Sequence, residues 1–202
     1  MIQTMLESSS LKDYTLVVFD LDDTLYRETD YLFSAYQEIE NYISKKIDIP
    51  LRELSGFLQR TFESRGRDGL FDLFLDHFNV KDTSLKAEML DILRKHSCNI
   101  SLFPEAERMI NELHKAGKDL AILTNGNIIQ QKNKVKCLGI FVLYPFIDVV
   151  YAAEVGAKPQ PTGLYYISRR HDCPLNQMAF IGDAIVDEET ARNAGVDYYY
   201  IK

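Results

Sequence analysis

The chain has 202 residues, room for one domain of about 150 residues plus an insertion, and too few for two large independent domains. Hydrophobic residues make up 46% and charged residues 26%, enough for a real core and against disorder. The 30 acids outnumber the 23 Lys and Arg, for a formal charge of -7, which argues against nucleic acid or an anionic membrane as partner.

No stretch approaches the roughly 18 consecutive apolar residues of a membrane span. Residues 1–12 lack the basic start and apolar run of a secretory signal. Cys98, Cys137 and Cys173 are widely spaced with no CxxC pair, which reads as reduced thiols in the cytoplasm.

The first predicted strand is Tyr14 to Leu21, an unbroken β-branched and aromatic run expected to be buried on both faces. It ends in Asp20-Leu21-Asp22-Asp23-Thr24. The period then becomes helical: Leu32, Tyr36, Ile39, Ile43 and Ile47 predict a first helix with Thr29 as its N-cap, closed by Pro50. Leu51, Leu54, Leu58 and Phe62 predict a second helix. After the polar turn Arg65-Gly66-Arg67-Asp68-Gly69, Leu70, Phe74, Leu75 and Phe78 mark a third, and Leu85, Met89 and Ile92 a fourth. Residues 27–98 thus form an all-helical block.

Helix and strand then alternate. Pro104 and Gly117 bracket a helix. Strand Asp119 to Leu123 ends in Thr124-Asn125-Gly126, and a helix from Ile128 to Leu138 leads to strand Ile147 to Ala152. Gly156-Ala157-Lys158-Pro159, a helix through His171 and strand Met178 to Ile181 follow. That strand ends in Gly182-Asp183. A helix from Glu188 to Ala194 and strand Tyr198 to Ile201 complete the order, and residues 1–12 are expected to be a loose lead-in. The alternation predicts an α/β fold: a parallel sheet flanked by helices on both faces.

Ligands of such sheets bind outside the carboxyl ends of the strands. Asp20, Asp22 and Thr24 follow the first strand, Thr124, Asn125 and Gly126 the second, Lys158 the third, and Asp183 and Asp187 the fourth. Each set alone reads equally as turn or capping chemistry. Their joint occurrence at one sheet edge points to a single site.

Acids, a hydroxyl and a lysine suit phosphoryl transfer through an aspartyl phosphate. A carboxylate is an acceptable nucleophile for phosphorus. In extended geometry Asp20 and Asp22 project to the same side, so one can attack while the other protonates the leaving oxygen. Clustered carboxylates need a divalent cation, and oxygen-only ligands point to Mg²⁺. Lys158 and Thr124 with nearby amides would hold the phosphoryl oxygens. A calcium EF-hand starting at Asp20 fails, because Leu25 stands where it needs Gly and Tyr31 where it needs Glu.

Taken together, these motifs resemble the haloacid dehalogenase (HAD) superfamily. Phe19-Asp20-Leu21-Asp22-Asp23-Thr24 resembles its first motif, hhhDxDxT, and Thr124, Lys158 and Ile181-Gly182-Asp183 with Asp187 resemble the second, third and fourth. The resemblance runs from about residue 14 to the C-terminus. It implies a Rossmann-like catalytic core (13–26 and 99–202) with an inserted helical cap domain of the first class (27–98). It implies Asp20 as nucleophile, Asp22 as general acid and base, Thr124 and Lys158 as phosphoryl ligands, and a Mg²⁺ site from Asp20, the Asp22 carbonyl and Asp183, with Asp187 as a metal-shell or lysine-orienting acid. Asp187 follows Asp183 by four residues where many relatives use five, so Glu188 competes for that place. Many relatives also continue beyond the last strand.

Asp22 sorts the branches. Phosphatases of the superfamily keep an acid there and dehalogenases do not, so the resemblance implies a Mg²⁺-dependent phosphatase. A phosphomutase would keep the same acid. Phosphonate hydrolysis would need a cap lysine, and Lys45 and Lys46 read better as a solvated helix end. A non-catalytic sensor phosphorylated on aspartate also clusters acids, a hydroxyl and Lys-Pro, but without a helical insertion and with its aspartate after a middle strand. The expected partner is a small phosphorylated metabolite, such as a sugar phosphate or a nucleoside monophosphate. Arg65, Arg67 and Asp68, in the turn between cap helices, are the cap candidates for substrate contact, and the flap after the first motif, with Tyr26 and Arg27, is a further one. The four histidines carry no metal-like spacing.

Overall fold

The computed structural model describes residues 8–82 and 84–201. The chain divides into two compact units, Met1–Glu28 with Ile100–Lys202, and Thr29–Asn99.

The first unit opens with a short 3-10 turn, Ser8–Leu11, and strand β1, Leu16–Phe19. Leu11 is fully buried, so this end of the expected loose lead-in is packed; residues 1–7 lie outside the described residues. Helix α1 (Glu28–Ser44) starts on Glu28 of the first unit and continues in the second, which also carries α2 (Leu51–Leu54), α3 (Phe57–Arg65), α4 (Leu70–His77) and α5 (Ser84–Lys95). The first unit resumes with α6 (Pro104–Lys115), β2 (Asp119–Thr124), α7 (Ile128–Cys137), α8 (Ile140–Leu143) and β3 (Ile147–Tyr151). It ends with α9 (Ala152–Val155), α10 (Thr162–Arg170), β4 (Met178–Gly182), α11 (Ile185–Ala194) and β5 (Asp197–Tyr200).

The five strands form one parallel sheet in the order β3-β2-β1-β4-β5. Leu16, Val18, Ala121, Leu123, Met178 and Phe180 join one apolar cluster with Leu164 and Ile167 of α10 and Ala191 and Ala194 of α11. Their neighbours Val17, Phe19, Leu120, Ile122, Ala179 and Ile181 point to the opposite face by the pleat and are equally buried. Burial on both faces explains why β1 reads as a continuous apolar run rather than an alternation. From β1 the chain winds one way to β2 and β3, then returns to place β4 on the other side. The carboxyl ends of β1 and β4 therefore flank the topological switch point, where open α/β sheets bind ligands.

Several sequence expectations shift at helix ends. Thr29 lies inside α1 rather than capping it; the Glu28 amide instead donates to Asp23 Oδ1 at 2.9 Å. The apolar period from Leu51 to Phe62 predicts one helix, yet the chain forms two, broken at Gly56 with φ of 74°. The cause is tertiary: the buried Glu40 carboxylate accepts from the Gly56 amide at 2.8 Å and the Leu58 amide at 2.9 Å, satisfying the start of α3. The last helix begins at Ile185, earlier than expected, and α8 was not anticipated at all.

The helical unit packs around aromatics. Phe57, Phe74 and Phe78 meet at ring-centroid distances of 4.9–5.6 Å. Tyr31 donates to the Leu93 carbonyl at 2.7 Å. Buried His96 lies between Glu38, at its Nδ1, and Ser34 Oγ, 2.8 Å from its Nε2. That order of acid, imidazole and hydroxyl resembles a nucleophilic triad. Ser34 sits well inside α1, however, where backbone N–H groups are spent on the helix, so they offer no oxyanion donors. His96 is a core histidine with satisfied nitrogens. Cys98 and Cys137 are half-buried, Cys173 is buried, and no disulfide joins them.

Candidate active site

After Phe19 the chain stays in the ladder for one more residue, with the Asp20 amide donating to the Ile181 carbonyl at 2.8 Å. It then turns sharply. Asp23 adopts a left-handed φ of 53°, the Leu25 amide closes a helical turn on the Leu21 carbonyl, and a single bridge pairs Asp22 with Tyr26. Asp tolerates this backbone because its short side chain bonds locally, here to Glu28.

Lys158 is almost fully buried, and its Nζ lies 2.5 Å from Asp20 Oδ1 and 2.5 Å from Asp187 Oδ1. Oxygens of Asp20, Asp183 and Asp187 all fall within 4.8 Å of one another. Thr24, 1% exposed, donates its hydroxyl to Asp183 Oδ1 at 3.3 Å. Asp187 accepts from the Ala184 amide at 3.3 Å, and Gly182 leaves room for it: a Cβ there would stand 2.5 Å from Asp187 Oδ2.

Burial sets the electrostatics. Burial first, then Asp187 and Asp22, push the Asp20 carboxyl up to about 7 against the downward pull of Lys158. Burial works against a charged Lys158, but Asp20 and Asp187 outweigh it and hold its ammonium above the usual lysine range. Asp183 is raised by burial and then by Asp23 and Asp187.

Asn125 ties two of the strand-end loops together. Its Oδ1 accepts from the Lys158 amide at 2.9 Å, and its Nδ2 donates to the Lys158 carbonyl at 3.1 Å. The Asn125 side chain is thus spent on placing Lys158, whose peptide to Pro159 is cis. Thr124 is buried, with its Oγ1 3.4 Å from the Asn125 carbonyl, and Gly126 has φ of 125°. A Cβ on Gly126 would stand 2.7 Å from Gln131 Nε2, so this glycine is needed for close approach as well as backbone shape.

Asp22 is held by residues that the sequence reading did not single out for this role. Its Oδ1 accepts from Tyr26 Oη at 2.6 Å and from Lys134 Nζ at 2.8 Å; its Oδ2 accepts from Gln131 Nε2 at 2.9 Å. Lys134, 1% exposed, also donates to Glu28 Oε1 at 2.9 Å. The available signal was positional: Gln131, Lys134 and Val135 form the inward face of α7, and two of the three are polar.

Asp20, Asp22, Thr124, Asn125, Gly126, Lys158, Asp183 and Asp187 all belong to the first unit. Arg65 and Arg67 belong to the other. Arg65 ends α3 and lines a cleft of about 580 Å³ with Arg60, Ser64, Asp76 and His77; Arg67 is exposed in the turn that follows.

The family of haloacid dehalogenase-like hydrolases matches residues 14–195. The chain is 26% identical to a glyceraldehyde 3-phosphate phosphatase of Methanocaldococcus jannaschii, over 89% of this chain and 81% of that one. It is 24% identical to a phosphoglycolate phosphatase of Vibrio parahaemolyticus, over 91% and 82%. Among solved structures it resembles YfnB of Bacillus subtilis, determined bound to magnesium, with a TM-score of 0.65 and 21% identity over 93% of this chain and 86% of that one.

Proposed function

The chain belongs to the haloacid dehalogenase-like hydrolases and is a phosphoric monoester hydrolase, and from that premise we propose that it cleaves a small phosphorylated metabolite through an aspartyl phosphate on Asp20. One observation carries this reading: Lys158 Nζ bonds Asp20, just past β1, and Asp187, in the first turn of α11, with Asp183 alongside.

Asp20 is the nucleophile. Its carboxylate oxygen bonds to phosphorus as the bond from phosphorus to the leaving oxygen breaks. Asp22 gives that oxygen its proton and later takes one from the water that hydrolyses the acyl phosphate. Thr124, the Asn125 and Gly126 amides and the Lys158 ammonium receive the phosphoryl oxygens, where charge shifts in the transition state. Lys158 also keeps Asp20 aimed.

The donor set fits Mg²⁺: three carboxylates within one ion's reach, offering oxygen alone. Asp20 and Asp183 would hold it through side chains and Asp22 through its backbone carbonyl, with Asp187 shared between the ion and Lys158. When bound, the ion neutralises the acids and draws charge from the phosphoryl oxygens.

The helical unit, Thr29–Asn99, serves as the cap that selects the substrate, with Arg65 and Arg67 as its anion contacts. Among the described residues no helix is long and apolar enough to cross a membrane. A reducing cytoplasm suits the three thiols and a metabolite substrate.

The test is turnover of p-nitrophenyl phosphate with Mg²⁺. Sustained release of phosphate, abolished by Asp20→Asn, is expected. A stable phosphoprotein that never turns over would instead support a sensor.

A further inference from the structure

We propose that Gln131 and Lys134 of α7 are positioning residues for Asp22, with Glu28 as the counter-charge that lets the lysine be buried. This rests on the reading of Asp22 as general acid and base.

A proton donor acts on a leaving oxygen only if it stands within hydrogen-bond reach in the right direction. A free aspartate on a turn has two side-chain torsions to set. At Asp22 both oxygens are tied: Oδ1 to Tyr26 and Lys134, Oδ2 to Gln131. The Gln131 orientation is fixed by chemistry. Its Nε2 donates to Asp22 Oδ2 at 2.9 Å and to the Asn125 carbonyl at 2.6 Å. A flipped amide would set its oxygen against two acceptors. Gln131 thereby links the acid to the loop that carries Thr124.

Lys134 is not a solvated helix lysine. At 1% exposure it bonds two carboxylates, Asp22 at 2.8 Å and Glu28 at 2.9 Å. Burying an ammonium is costly without such partners, and a methionine would fill the space without that cost. What the ammonium adds is a charged bond to one oxygen of Asp22. Both bond the Asp22 carboxylate directly, and the role proposed for both is exerted through it.

A positioning role and a merely structural one differ in what they do to the leaving group. A poor leaving group needs the proton; a good one hardly does. The experiment measures kcat/KM for phenyl phosphate and p-nitrophenyl phosphate with Mg²⁺. It compares Asp22→Asn, Gln131→Leu, Lys134→Met and the charge-balanced pair Lys134→Met with Glu28→Gln. Asp22→Asn is expected to lose at least about tenfold more on phenyl phosphate than on p-nitrophenyl phosphate, and the α7 variants are expected to show the same selective loss. Equal losses on both esters, or no loss, in folded α7 variants overturn the proposal while the selective loss in Asp22→Asn leaves the acid and base assignment standing. If Asp22→Asn shows no selectivity, both fall. Should Lys134→Met fail to fold, the balanced pair and Gln131→Leu decide.

Discussion

Lys158 Nζ sits 2.5 Å from Asp20 Oδ1 and the same distance from Asp187 Oδ1, so one buried ammonium serves two carboxylates, one just past β1 and one in the first turn of α11. Replacing it leaves both acids without their cation. Lys158→Met should cost about 3–5 kcal/mol of stability without Mg²⁺, because uncompensated charge stays buried. It should also lower kcat for p-nitrophenyl phosphate by about 10² or more, as loss of a phosphoryl-oxygen donor does. Lys158→Arg should not rescue, since a planar guanidinium cannot replace a point charge between two close carboxylates. Denaturation and steady-state kinetics check this; an active arginine variant would mean that the site is looser than its distances.

Proton and metal compete for Asp20. Burial raises its carboxyl to about 7, so below that pH the metal-free protein carries a proton that a cation must displace. The sign follows directly: Mg²⁺ affinity should rise as pH rises toward about 7 and level off above it. A single displaced proton gives about tenfold per pH unit on the rising limb. Calorimetric titration at pH 6, 7 and 8 reads both the affinity and the proton released. An affinity flat across that range would show that Asp20 is already ionised.

The parts of the site legible in sequence are those that depend on chain position. Asp20, Lys158 and Asp183 follow a strand and Thr124 ends one, each strand marked by its apolar run, and parallel topology then places those ends on one edge. The illegible parts depend on partners far away in the chain. Lys134 lies in a helix rich in Gln, Lys and Asn, where a lysine reads as solvated; Asp22 and Glu28, 112 and 106 residues distant, explain its burial. The break at Gly56 was hidden because the apolar period runs straight through it, and Glu40 of another helix decides it. Tyr26 reads as a flap residue near substrate, yet its hydroxyl bonds Asp22.

Glu40 gives a test confined to the helical unit. Its carboxylate accepts from two backbone amides at the start of α3, and burial is what raises its carboxyl above the usual range. Glu40→Ala should therefore destabilise the protein by about 1.5–3 kcal/mol, the range for hydrogen bonds to a charged group. Hydrogen exchange at the Gly56 and Leu58 amides should accelerate more than exchange in β1. Uniform acceleration across both units would place the effect elsewhere.

Gly182 ends β4 with its Cα against Asp187. An added Cβ would meet Asp187 Oδ2 at 2.5 Å and the Asp187 Cβ and Cγ at 2.8 Å. No side chain tolerates such approach, and Asp187 has little freedom to yield because it holds Lys158 at one oxygen and the Ala184 amide at the other. Gly182→Ala should therefore push Asp187 off Lys158 rather than unfold β4, whose backbone has no need of glycine's left-handed region. A displacement near 1 Å in a catalytic constellation costs about 10²-fold, so kcat should fall by that order, and Mg²⁺ affinity should fall with it. Gly195→Ala is the control for glycine loss itself: its Cβ meets nothing within 4 Å, so it should cost stability through its φ of 73° while kcat holds. If Gly182→Ala kept full kcat and Mg²⁺ affinity, Asp187 would have to be dispensable to both, and the shared role drawn for it between the ion and the lysine would be wrong.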